Sequence, residues 1–124
     1  MRRPHQKAAA LALGADTVLD AGDEAALMAA AKHEPIDLVI ESVGGTADTL
    51  DDAVYACRFG GTICMLGVYT KPVEFPAMRV VAKEITLKGS LVYNRVGARA
   101  DFEIVQDLLR RHGALLGRTL VTHR

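Results

Sequence analysis

Asp37-Leu38-Val39-Ile40-Glu41-Ser42-Val43-Gly44-Gly45-Thr46, continued by Ala47 to Cys57 and then by Gly60-Gly61-Thr62-Ile63-Cys64-Met65-Leu66-Gly67-Val68, reads as one strand–helix–strand unit. Leu38-Val39-Ile40 is too short an apolar run for a helix and is rich in β-branched residues, which suits a strand covered on both faces. Gly44-Gly45 marks a tight turn. Thr46 offers a capping oxygen, and Ala47, Leu50, Ala53, Val54 and Cys57 recur at helical spacing. Gly60-Gly61 is read as the stop of that helix, and Thr62 to Leu66 as a second buried strand closed by Gly67. Two apolar strands joined by an amphipathic helix require a right-handed crossover in a parallel sheet. Ligands of such sheets bind beyond the carboxyl ends of the strands, here Val43-Gly44 and Leu66-Gly67-Val68.

Outward from this unit the pattern stays α/β. Toward the start, a helix of alanines and leucines leads from Pro4 to a stop at Gly14, and Thr17-Val18-Leu19 reads as a brief strand. Glu24 to His33 is a helix ended by Pro35. Toward the end, Val73-Glu74-Phe75 is expected as a short edge strand and Met78 to Lys83 as a single helical turn. Ile85 to Tyr93 is expected as a strand bent at Gly89. Arg95 to Arg99 reads as a basic loop. Asp101 to His112 is an amphipathic helix capped by Gly113, and Ala114 to Arg124 reads as a loop with the beginning of another strand.

A chain of 124 residues, half of it hydrophobic, has the length for a modest core. Fifteen Lys and Arg balance fifteen Asp and Glu, which removes the electrostatic case for a nucleic-acid partner. Cys57 and Cys64 read as small buried hydrophobes in a reducing compartment. Met1 to Lys7 followed by Ala8 to Ala15 superficially resembles a secretory signal, but the apolar run holds only two leucines and continues into an amphipathic pattern. No apolar run reaches the length of a membrane span. The expectation is a soluble, cytoplasmic protein.

The order of several short words is similar to the cofactor domain of the zinc-type medium-chain alcohol dehydrogenases. These are Leu13-Gly14-Ala15-Asp16, Asp37 to Gly44, Gly60-Gly61-Thr62-Ile63, Leu66-Gly67-Val68 and Lys83 to Ser90, with Leu120 to His123 fitting the usual continuation. The flavour resembles the butanediol, sorbitol and threonine dehydrogenase branch. The resemblance implies a partial Rossmann-like, doubly wound parallel sheet lacking its first two strands, with Thr17–Leu19, Leu38–Glu41, Thr62–Leu66 and Leu87–Val92 as strands three to six. It places residues 1–124 in a partial dinucleotide-binding domain, without the Gly-rich phosphate turn and without the catalytic domain that carries zinc. Unpaired sheet edges invite pairing, so poor solubility, a rearranged sheet or an obligate oligomer is expected of the chain alone.

By the same resemblance, Val43 and Gly44 lie at the adenosine side of a bound NAD(H), while Leu66, Gly67, Val68, Ser90, Leu91 and Val92 line the nicotinamide pocket. NADP stays open, because the deciding residue falls at or before Met1. Read from the residues alone, these positions are strand-end turns and core. Ser90 lacks the elbow of a nucleophile. Glu41 reads either as a general base or as a polar residue at the sheet edge. The histidines are scattered and the cysteines lack ligand spacing, so zinc is assigned to the missing catalytic domain. No catalytic residue is expected here. The leading reading is the cofactor part of an alcohol or polyol dehydrogenase, inactive in isolation and forming a homo-oligomer through residues 72–89. The alternative is a non-enzymatic interaction module.

Overall fold

The structure, a computed structural model, describes residues 4–91, 93, 95–96 and 99–120. The chain divides into two compact units, Glu24–Val92 on the one hand and Met1–Asp23 with Tyr93–Arg124 on the other.

In the first unit, helix α2 (Glu24–His33) precedes strand β1 (Ile36–Glu41), helix α3 (Thr49–Ala56), strand β2 (Cys57–Met65), helix α4 (Ala77–Ala82) and strand β3 (Thr86–Gly89). The strands form a three-stranded parallel sheet in the order β1-β2-β3. This is the expected second half of a Rossmann-like sheet, and its order is not rearranged. Leu50, Ala53 and Val54 fall on one face of α3 and, with Cys57 at the start of β2, meet Ile63 of β2 and Ile85 at the entrance of β3, forming the core. Val54 and Ile63 are wholly buried. The α/β expectation holds.

Two local expectations fail at the ends of α3. Thr46 does not cap the helix, which begins at Thr49 with Asp48 before it and no side-chain cap bond. Sheet pairing accounts for the delay: Gly45 bridges to Tyr69, its N–H donates to the Val68 carbonyl (2.8 Å), and its carbonyl accepts from Thr70 (3.2 Å). Residues held in that ladder cannot enter a helix. Gly60-Gly61 does not stop the helix either, because Cys57 already turns the backbone to extended (φ −64°, ψ 135°). The glycines instead sit within β2, in an irregularity where pairing moves from Ile36–Cys57 to Leu38–Thr62. Gly61 is needed there for space: a Cβ would come 2.5 Å from Cys57 Sγ and 3.1 Å from the Asp37 carbonyl.

The turn expected over Met78 to Lys83 is present as α4. Val73-Glu74-Phe75 is not a strand, and β3 ends at Gly89 rather than bending through it, although Ser90 N–H still donates to the Met65 carbonyl (3.0 Å).

In the second unit, α1 (Pro4–Ala12) ends as read at Gly14, whose φ of 101° closes a bond from Ala15 N–H to the Ala10 carbonyl (3.0 Å). Thr17-Val18-Leu19 is not a strand. Among the described residues nothing pairs with it in a sheet, and a strand exists only as a pairing. Arg95–Val96 (β4) and Arg99–Ala100 (β5) form a small antiparallel pair instead of a free loop. Helix α5 then runs Asp101–Leu120, with Glu103 reaching back to the Ala100 amide (3.0 Å) as the arm of a capping box. Gly113 does not end it. Neither Gly113 nor Gly117 takes a positive φ, and a helical glycine costs only about 1 kcal/mol relative to alanine.

Candidate functional site

Because the sheet is parallel, the carboxyl ends of its strands gather on one edge. Val43 (62% exposed) follows β1, Leu66 (44%) and Val68 (63%) follow β2, and Leu91 (69%) follows β3. Ser90 is exposed beside Leu91. Val92 lies outside the described residues. Large apolar side chains at a rim, set on short turns, provide a surface for a flat organic group.

Beneath that rim the two turns touch through their backbones. A Cβ on Gly44 would lie 2.5 Å from Val68 N and 2.7 Å from the Gly67 carbonyl carbon, and φ there is +60°. A Cβ on Gly67 would lie within 2.8 Å of Gly44 Cα. The glycines thus have a reason to be glycine that is independent of any bound molecule.

Glu41 organises this contact. It is 4% exposed and is the one buried charged residue among those described. Its Oε1 accepts hydrogen bonds from the amides of Val43 (2.8 Å) and Gly44 (3.1 Å) and from the Thr49 hydroxyl (2.8 Å). Oε2 and the buried Tyr69 hydroxyl have no partner of normal geometry among the described residues. Burial pushes the Glu41 carboxyl up, but the Thr49 hydroxyl, the Gly44 and Val43 amides and the nearby Tyr69 hydroxyl outweigh it and hold the group below its ordinary value. Burial, together with the facing carboxylate, raises the Tyr69 phenol. This environment favours a permanently ionised acceptor and opposes the role of a general base, which needs a raised value.

The sign of the pH effect follows. Since the folded protein lowers this acid below the unfolded value of 4.5, its stabilisation is complete above that value and is lost as pH falls through the lowered one. Melting curves from pH 7 to pH 3 are expected to show Glu41→Gln less stable at neutrality, with the gap to the native chain closing on acidification. A gap that is constant with pH would contradict it.

On the open side of β1, a cleft of about 280 Å³ is lined by Leu27, Ile40, Val43 and Ala53, with Thr49 and Asp52 at its polar wall. Burial and the neighbouring Asp51, Glu24 and Asp48 raise the Asp52 carboxyl.

The structure therefore gathers Val43, Gly44, Leu66, Gly67, Val68, Ser90 and Leu91 along one edge. Thr49, whose hydroxyl holds Glu41, and Tyr69, whose hydroxyl lies near it, carry no sequence signal of their own. The acid itself does: a carboxylate closing an apolar strand three residues before a glycine turn is burial-prone, and burial demands partners.

A family description, "Zinc-binding dehydrogenase", matches residues 1–111. The chain is 31% identical over 86 residues to "Probable D-xylulose reductase A" of Arthroderma otae, covering 69% of this chain and 22% of that protein. It is 29% identical to sorbitol dehydrogenase of Macaca fascicularis, covering 65% of this chain and 24% of that one. The crystal structure of S. aureus TarJ in complex with NADPH superposes with a TM-score of 0.56 at 30% identity, over 67% of this chain and 26% of the other. The chain thus spans about a quarter of the length of the proteins it matches. The family match takes in both crossovers of the sheet and the whole rim at its carboxyl edge, and the chain belongs to the zinc-binding dehydrogenases as part of their C-terminal cofactor domain.

Proposed function

We propose that this chain holds the dinucleotide of an NAD(P)-dependent dehydrogenase acting on a secondary alcohol or polyol. The observation that carries the proposal is the exposed apolar rim of Val43, Leu66, Val68 and Leu91 at the carboxyl ends of three parallel strands. Val43 and Gly44 would meet the adenosine side, and Leu66, Gly67, Val68, Ser90 and Leu91, with Val92 outside the described residues, the nicotinamide side. The residues fit such a group: branched apolar side chains shield one face of a planar ring and exclude water, and the glycine turns bring backbone close to it. When bound, the cofactor supplies the hydride acceptor. A structural neighbour in complex with NADPH supports a dinucleotide.

Zinc does not fit here, because no three His, Cys, Asp or Glu side chains gather as a metal site among the described residues. We assign the zinc to a separate catalytic domain. This chain positions a cofactor, and no described residue at the rim is set up for proton chemistry, so we infer that it is inactive by itself. No helix among the described residues is long and apolar enough to cross a membrane, and a cytoplasmic location suits a dinucleotide enzyme.

NADH fluorescence tests this. Binding by the 124-residue chain is expected, weakened about tenfold or more by Val68→Asp, since a carboxylate would be placed against a ring and a diphosphate. No NAD-linked oxidation of butanediol is expected. Absence of NADH binding would sink the proposal.

The second reading, an interaction module, rests on residues 72–89. β3 is an outer strand with every residue exposed, and Met78 (80%) and Val81 (74%) of α4 stand in solvent. We propose a homo-oligomer through this segment. Val81→Asp is expected to reduce the mass measured by light scattering to that of one chain; a native chain already of that mass would remove the reading.

A further inference from the structure

Glu41 reaches both turns of the rim at once. Its side chain holds the first turn through the Val43 and Gly44 amides. Its main-chain carbonyl holds the second, accepting from Leu66 N–H (2.7 Å) and Gly67 N–H (3.0 Å). The two grips depend on each other. A carboxylate bonded to amides two and three residues ahead closes small rings that fix the backbone leaving Glu41, and so fix where its carbonyl points. From the other side, Gly67 packs on the free carboxylate oxygen, so closely that a Cβ there would meet Oε2.

We propose that Glu41 is a positioning residue: it sets the spacing between the turn at 43–44 and the turn at 66–68, and so between the sites for the two ends of the dinucleotide. The proposal rests on the cofactor reading above. Charge and reach are both needed. Oε1 serves three donors, a load suited to an anion. Glu41→Asp keeps the charge but is one methylene short, so it cannot hold the amides while its carbonyl stays in place. Glu41→Gln keeps the reach and loses the charge, and is expected to retain part of the effect.

The test uses the whole 124-residue chain, native and in both variants, each checked for folding by circular dichroism. Amide hydrogen exchange is measured at residues 43, 44, 66 and 67, and affinity is measured for NADH and for AMP. NADH spans both turns, whereas AMP carries only the adenosine end. In Glu41→Asp, exchange is expected to rise at all four amides together. NADH affinity should fall about tenfold while AMP affinity falls less than about threefold, with Glu41→Gln between native and Asp in both readouts. Faster exchange at 43 and 44 alone, or equal loss of AMP and NADH, would overturn the coupling. A native chain that binds neither nucleotide would overturn the cofactor reading instead, and the exchange pattern then decides the clamp by itself.

Discussion

Gly67→Ala is expected to destabilise the sheet unit by about 3 kcal/mol or more, and Gly44→Ala by more still. At position 67 the new Cβ would be driven into the backbone of Gly44. Backbone cannot swing aside as the tip of a flexible side chain can, so the ends of β1 and β2 must part. Parting them strains the bonds from Leu66 and Gly67 to the Glu41 carbonyl and from Gly45 to the Val68 carbonyl. Each is worth about 0.5–1.5 kcal/mol net. Gly44 adds the left-handed backbone, φ +60°, at about 1–2 kcal/mol for a side-chain-bearing residue. Gly45 provides the control: its φ of +69° is as unusual, but a Cβ there meets nothing within 4 Å. Urea unfolding should therefore rank the substitutions Gly45 least, then Gly67, then Gly44. If Gly67→Ala unfolds with the native midpoint, the turns are not in the contact described.

That ranking bears on what the sequence could reveal. Glycines after a strand are legible as turns, and a resemblance makes them legible as cofactor turns. What they pack against is not legible, because Gly44 and Gly67 lie far apart in the chain and meet only through the crossover. The apolar rim was readable for the same reason the strands were: Val43, Leu66, Val68 and Leu91 border short apolar runs that end together in a parallel sheet. Glu41 was visible as an acid at a strand end. That it is the buried centre of the edge was not visible, since its donor Thr49 comes from the next helix and its neighbour Tyr69 from beyond the next strand.

The failed readings at the ends of α3 share a cause. By local preference Thr46 suggests a cap, and Gly60 and Gly61 a stop. Each such preference is worth about 1 kcal/mol, and pairing outweighs it. Gly45 is held by Val68 and Tyr69, so α3 starts late; the Gly60 amide donates to the Lys83 carbonyl (2.7 Å), so the paired glycines join the strand. Thr17-Val18-Leu19 fails in the opposite sense, having strand preference but, among the described residues, a place in neither sheet.

Lys83→Met is the other substitution expected to cost heavily, about 2–3 kcal/mol. Helix α3 ends without a glycine cap, since Cys57 goes straight into β2, and its last carbonyls need donors from elsewhere. Lys83 supplies them: Nζ lies 3.0 Å from the Val54 carbonyl, 2.8 Å from that of Tyr55 and 2.7 Å from that of Cys57. An ammonium has three protons, and all three are used. The cation also stands at the negative end of the helix dipole and 5.8 Å from the centre of the Tyr55 ring. Methionine keeps the stem and its packing but removes every donor, so the measured loss isolates the ammonium. Lys83→Arg is expected to recover only part of it, because a planar guanidinium directs its donors outward in a fork and cannot converge them on three carbonyls around one point. The contact ties the second crossover to the end of the first, so weakening it loosens β3 from β2 and, with β3, the placement of Ser90 and Leu91 at the rim. Urea midpoints within about 0.5 kcal/mol of the native chain for Lys83→Met would mean that water serves those carbonyls as well as the lysine does.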